Sequence, residues 1–269
     1  IAFYRSICRI EKELSESPKS VSDKLAAIAK KLFARNRMLI SFTGNNEAYG
    51  NAKPSLEKVI AGFNKMSAVG NQAEVHFNTA KEAFIDASQI QYVAKTGDFI
   101  CEGYEYTGAL RLLRIILSYD YLWQNVRVKG GAYGCMSSFN RIGEGYLVSY
   151  RDPNLEKTME IYEGVVDYLK NFNVDDRDMN KFIIGTISNI DRPMNPAAKG
   201  SRSMNLYMNH VSAEMIREER NQILDAQQSD IRALADVLQA LLDAHELCVI
   251  GSEEKIEEQK EMFLEIKTL

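Results

Sequence analysis

Residues 107–151, TGALRLLRIILSYDYLWQNVRVKGGAYGCMSSFNRIGEGYLVSYR, decide the fold. The first half of the run is apolar nearly all round, with Leu110, Leu113, Ile116, Leu117 and Leu122, which predicts a helix from Thr107 to about Val126 buried on several sides. Gly130 and Gly131 end it. From Tyr133 to Arg151 the pattern reads as a β-hairpin, with Tyr146, Val148 and Tyr150 on one face of its second strand and Asp152-Pro153-Asn154 closing that strand.

Working outward, Ile90, Tyr92 and Ala94 alternate with polar neighbours, which predicts a strand over 89–95 with one solvated face. Further upstream, residues 37–43 read as a strand stopped by Gly44, after which Pro54 opens a helix to about Met66. Ser20 and Asp23 form a capping pattern for a helix to Arg35, with Leu25, Ile28, Ala29 and Leu32 on one face. The segment before it is helical in its middle and ends in a Ser-Glu-Ser-Pro turn at Pro18. Downstream, Asn154 caps a helix carrying Leu155, Met159, Tyr162, Val166 and Leu169, and further helices follow around 176–191, 197–210 and 212–225. A helix from Ser229 to Leu242 leads to a strand at 247–250 and a last helix after Ser252. Hairpins followed by helices, without strict strand–helix alternation, predict an α+β fold: a two-layer sandwich of a largely antiparallel sheet with helices on one face. Residues 1–35 read as a helical linker or the tail of a preceding domain, and residues 36–269 as the main α+β domain.

The chain has 269 residues, 33 Lys and Arg against 37 Asp and Glu, and 45% hydrophobic residues. Those proportions fit a folded globular protein and exclude disorder as its main theme. A formal net charge of −4 gives no general attraction to phosphate backbones, so no nucleic-acid partner is expected. Arg111, Arg114 and Asp120 interrupt the longest apolar run too often for a membrane span. Cys8, Cys101, Cys135 and Cys248 are widely spaced, which suits buried or incidental thiols in a reducing compartment rather than a disulfide scaffold. The chain begins at Ile1 with no signal pattern and reads as cut from something longer.

Metal ligation needs closely spaced donors, and His76, His210 and His245 are too scattered for a zinc site. His210 and Glu214 stand four apart on an expected helix, a spacing that serves a surface contact better than a ligand set. No nucleophile elbow or phosphate-binding glycine fingerprint occurs, and Gly143 and Gly145 have a turn to serve. The chemically loaded segment is Arg127-Val-Lys-Gly-Gly-Ala-Tyr-Gly134. Arg127 offers a permanently charged fork and Tyr133 a phenolic O–H, while Gly130 and Gly131 between them let another backbone come close. Such donors suit a peptide carbonyl and the oxyanion that forms when water attacks it. A plainer reading stands beside this one: Arg127 and Lys129 complement a helix C-terminus, the glycines terminate it, and Tyr133 packs in the sheet.

Residues 119–134, YDYLWQNVRVKGGAYG, then Ser149–Leu155, 183–187 and Lys199-Gly200 together resemble, in order and spacing, the presequence-protease branch of the pitrilysin or insulinase zinc metallopeptidases. The likeness runs over roughly residues 20–265 and is strongest between 119 and 200. It implies a carboxy-terminal metallohydrolase-like domain of the pitrilysin and processing-peptidase type. Members of that family close two similar halves around an unstructured peptide. The resemblance implies that the amino-terminal half bears a His-x-x-Glu-His zinc motif, and that the carboxy-terminal half supplies an Arg and a Tyr, which fall on Arg127 and Tyr133. That motif is absent between Ile1 and Leu269. The resemblance therefore implies no metal and no cofactor in this chain, zinc in the missing half, that half and a peptide as partners, and no peptide cleavage by the chain alone. It further implies a cytoplasmic location in a bacterium and a mitochondrial or plastid one in a eukaryote. The rival expectation is a noncatalytic peptide-binding or assembly scaffold, which has no need of both donors beside two glycines. An exposed strand edge could also take up a peptide main chain.

Overall fold

The computed structural model describes residues 2–63, 65, 80–244 and 246–269; His76 and His245 lie outside the described residues. In chain order the first helices are α1 (Ala2–Glu16), α2 (Pro18–Leu32) and α3 (Asn46–Ala61), followed by β1 (Lys81–Asp86) and β2 (Gln91–Asp98). Then come α4 (Gly108–Ile116), β3 (Gly134–Phe139), β4 (Glu144–Asp152), α5 (Glu156–Glu163), α6 (Val165–Lys170), α7 (Asp176–Ile190) and α8 (Pro196–Met208). The chain ends with α9 (Ala213–Leu224), α10 (Gln228–Asp243), β5 (Glu246–Ser252), α11 (Glu253–Glu258) and β6 (Glu265–Thr268). These elements divide between two compact units, one of residues 1–76 and 193–210 and the other of residues 77–192 and 211–269.

Among its described residues the first unit's regular structure is helical. Helix α2 starts at Pro18, whose missing N–H costs nothing at a first helical position, and the Ser20 hydroxyl donates to Glu13 at 2.7 Å instead of capping. Leu25, Ile28 and Leu32, expected on a packed face, are exposed. Residues 38–43 form no strand: they join no ladder, and Leu39, Ile40 and Phe42 are exposed. A β-prone run becomes a strand only where a neighbour completes its hydrogen bonds. Helix α3 begins earlier than Pro54 indicates, because the Asn45 side chain accepts from the Ala48 N–H at 2.8 Å and caps it there. Pro54 consequently lies inside the helix, where it has no N–H for the Gly50 carbonyl.

The second unit holds one six-stranded sheet in the order β3-β4-β2-β5-β1-β6. The β3–β4, β4–β2 and β2–β5 pairings are antiparallel, and β5–β1 and β1–β6 are parallel. The expected α+β sandwich with a largely antiparallel sheet is what forms. Strands β1 and β6 are additions to it. Beneath one face lies the core: Val93, Leu147, Val249 and Ala83 from the sheet meet Leu110, Leu113, Ile116, Leu117 and Leu122 from the central helical segment and Leu234, Leu238, Leu241 and Leu242 from α10.

The other face carries larger side chains than an ordinary solvated face. In β2 the buried set is Gln91, Val93, Lys95 and Gly97, while Tyr92 is exposed and Ala94 half-buried, the reverse of what Ile90, Tyr92 and Ala94 indicate in the sequence. Strand β4 repeats this, with Gly145, Leu147 and Ser149 inward and Tyr146, Val148 and Tyr150 outward. Burying Lys95 is possible because its ammonium pairs with Glu163, and Gln91 is satisfied by Ser252, whose N–H it accepts at 3.0 Å.

Candidate functional site

The central helical segment stays α-helical only to Ile116. Residues 117–121 and 123–128 wind as π-turns, and Lys129 N–H donates back five residues to the Gln124 carbonyl at 3.0 Å. Single π-turns recur at functional sites because the extra residue re-aims neighbouring side chains. Here the wide turn lays the Arg127 guanidinium over the Trp123 ring, 3.9 Å from its centroid.

Gly131 ends the turn with φ +83° and donates its N–H to the Arg127 carbonyl at 2.9 Å. That left-handed backbone is strained for any residue with a Cβ. Asn154, expected to cap the following helix, does something else: its Nδ2 donates to the Gly130 carbonyl at 2.6 Å, and α5 starts after Leu155 with no side-chain cap. Asp152 is fully buried and accepts from the Asn154 N–H at 2.9 Å and the Thr158 hydroxyl at 2.7 Å. A chain of hydrogen bonds thus ties the end of β4 to the glycine turn.

Tyr133 lies just before β3 and is 60% exposed, so its ring is not packed within the sheet. Its N–H donates to the Arg151 carbonyl at 3.2 Å. Its ring meets Tyr150 edge-on, with centroids 5.6 Å apart, and the Arg151 guanidinium stands 5.5 Å from the Tyr133 centroid. Gly134 permits this packing, since a Cβ there would come within 2.3 Å of the Tyr150 ring. Arg127 and the two glycines are joined through the turn's backbone, whereas Tyr133 is held by the β4 end through Tyr150 and Arg151. Next to the turn, burial pushes the Cys135 thiol up to about 11, with Arg127 pulling the other way. The four cysteines are free, and Cys101 and Cys248 are exposed.

Sequence reasoning missed Arg151. It adopts φ +49°, a region costing an arginine about 1–2 kcal/mol. The β2–β4 register shifts at this point, from Tyr92 opposite Tyr150 to Gln91 opposite Asp152, leaving Arg151 as the extra residue of a bulge. Strict alternation would put Asp152 outward beside Tyr150; the bulge turns it into the core. A buried Asp two places after an outward Tyr is the signal, and it is visible only once burial is known.

From Tyr150 an apolar row crosses the outward face. Tyr150 is opposite Tyr92, Tyr92 opposite Ile250, and Ile250 opposite Phe84. With strands about 4.8 Å apart, the row spans about 14 Å, and Tyr133 extends it at one end. Phe84 at the other end lies 5.5 Å from the Lys267 ammonium, which bonds Glu82 at 2.9 Å and Glu265 at 2.7 Å.

A polar hub supports the far end of the hairpin. Glu219 of α9 is buried and paired with Arg111 of α4 and with Arg141 of the β3–β4 turn, and it accepts from the Tyr106 hydroxyl at 2.8 Å. Burial alone would raise the Glu219 carboxyl, but Arg111, Tyr106 and Arg141 outweigh it and hold it below the usual range. Burial pushes the Tyr106 phenol up to about 12.

Among the described residues no three His, Cys, Asp or Glu side chains form a group able to hold a metal ion, so they do not fit zinc. His210 and Glu214 do not share a helix: His210 sits in a turn at φ +55° and Glu214 pairs with Arg217 in α9. No described helix is long and apolar enough to cross a membrane.

The chain's fold is similar to that of a protease from Helicobacter pylori, with a TM-score of 0.55 at 14% identity over 77% of this chain and 52% of that one. That likeness shows a shared α+β fold. Residues 81–253 match the family described as PreP C-terminal domain, and the chain belongs to that family. It is 39% identical to Protein HypA of Clostridium perfringens over 99% of this chain and 27% of that protein. It is 30% identical to Presequence protease 1, chloroplastic/mitochondrial, of Arabidopsis thaliana over 99% of this chain and 25% of that protein. The chain therefore spans about a quarter of the length of these relatives.

Proposed function

We propose that this chain is the carboxy-terminal part of a zinc metalloendopeptidase that degrades unstructured peptides, residues 1–35 being a helical tail into the domain of residues 36–269. Arg127 and Tyr133 act as donors to the scissile carbonyl. A phenolic O–H and a guanidinium N–H shorten their hydrogen bonds as negative charge develops on that oxygen, which favours the transition state over the bound substrate. Gly130 and Gly131 leave room for the peptide main chain. The outward row Tyr150, Tyr92, Ile250 and Phe84 takes apolar side chains that a folded substrate would keep hidden. Zinc and the groups that activate water belong to the amino-terminal half of the same protein, so the chain alone is catalytically incomplete. The Arabidopsis relative named as chloroplastic/mitochondrial supports an organellar site in a eukaryote, and in a bacterium the protein works in the cytoplasm.

The observation that carries this reading is the exposed Tyr133, fenced by Tyr150 and Arg151 at the mouth of a glycine turn. Incubating the full-length protein with an unstructured peptide and with a folded protein of similar size tests it. Chelator-sensitive cleavage of the peptide alone, reduced in kcat by Arg127→Ala, is the expected result. Cleavage unaffected by Arg127→Ala would favour the noncatalytic scaffold.

A further inference from the structure

We infer that Arg151 is the positioning residue for Tyr133; its effect on peptide hydrolysis rests on the proposed function, but the positioning itself does not. Glycine would occupy the φ +49° bulge position without strain. Arginine supplies there what glycine lacks, a cation beside the Tyr133 ring, 5.5 Å from its centroid. Its carbonyl accepts the Tyr133 N–H at 3.2 Å, so one residue holds both the backbone and the ring of the other.

The ring, although 60% exposed, is bordered on its sheet side by two neighbours. Tyr150 meets one edge at an interplanar angle of 64°, and the guanidinium borders the ring besides. The bulge is itself anchored: Asp152, the next residue, is fully buried and fixed by the Thr158 hydroxyl and the Asn154 N–H. Among the described residues the charge of Arg151 meets the Tyr133 ring and no carboxylate pairs with it. An exposed tyrosine held this way keeps its hydroxyl in one place before substrate arrives, and misplacement by an ångström is costly to rate. Bulges beside active sites re-aim side chains in this manner.

The test is Arg151→Gly in the full-length protein, alone and combined with Tyr133→Phe, with Arg151→Lys as the conservative variant. Glycine relieves the backbone strain, so the thermal midpoint should not fall. The expected result is a kcat lower by about 10-fold with KM within about twofold, largely recovered by Arg151→Lys. In the Tyr133→Phe background, Arg151→Gly should add little, because the two residues act as a unit. Equal losses in both backgrounds, or wild-type kcat in Arg151→Gly, would overturn the inference. A readout independent of turnover is the ¹⁹F resonance of 3-fluorotyrosine placed at position 133. It should shift in Arg151→Gly and return in Arg151→Lys, and an unmoved resonance also overturns the inference. A wild-type protein that cleaves no peptide while this resonance responds would sink the peptidase reading and leave the positioning intact.

Discussion

Asp152 and Gly130 are linked through one residue: the Asp152 carboxylate accepts from the Asn154 backbone N–H at 2.9 Å while Asn154 Nδ2 donates to the Gly130 carbonyl at 2.6 Å. The turn that follows the central helical segment is therefore fixed by the end of β4, about 20 residues downstream, and its geometry depends on the hairpin being formed.

Replacing Asn154 by Ala should loosen the turn without unfolding the domain. Losing one hydrogen bond to a half-buried carbonyl costs about 1 kcal/mol. The checks are a small drop in the thermal midpoint and faster amide exchange at Gly131 and Ala132; exchange unchanged at those amides would show the turn to be held by its own backbone.

Gly134→Ala should cost more, about 1–3 kcal/mol, because the new methyl would displace the Tyr150 ring that meets Tyr133. Urea unfolding measures the cost. A stability equal to the wild type would mean that Tyr150 moves aside freely.

Lys95 gives the opposite expectation. Its side chain is 5% exposed and pairs with Glu163, whose own side chain is 52% exposed and can return to water. Lys95→Met should be neutral or stabilising by up to about 2 kcal/mol, whereas Lys95→Ala should destabilise by leaving a void. Losses of the same size in both variants would assign the ion pair a real share of the stability.

The Glu219 hub sets an acid limit. Its folded carboxyl lies below the ordinary value of 4.5, so its contribution is complete above that value and fades as pH falls through it toward the folded value. At neutral pH Glu219→Gln should cost about 1.5–3 kcal/mol, since Arg111 and Arg141 lose a charged acceptor. The gap between wild type and variant in thermal midpoint should narrow below about pH 4.5. A gap that stays constant with pH would contradict the pairing.

Much of this was legible in the residues. The apolar girdle of Leu110–Leu122 and the turn glycines mark a central buried segment and a hairpin because burial and left-handed backbone are local demands. What escaped was set by distant partners. Tyr92 faces outward although its alternation with polar neighbours suggests an inward face, because its neighbours Gln91, Val93 and Lys95 are the ones turned inward, whereas Tyr146, Val148 and Tyr150 share one face as expected. Residues 38–43 have the composition of a strand and no ladder to join. The π-turns leave no mark in a 3.6-residue pattern once every side of a segment is apolar. The bulge at Arg151 depends on the register between β2 and β4, which no single strand encodes.

The most direct measurement is the steady-state kinetics of Tyr133→Phe in the full-length protein with an unstructured peptide. A donor that acts on the developing oxyanion predicts a kcat lower by about 10²-fold with KM nearly unchanged. A rise in KM at wild-type kcat, or no change in either, would contradict the assignment of Tyr133 to the carbonyl.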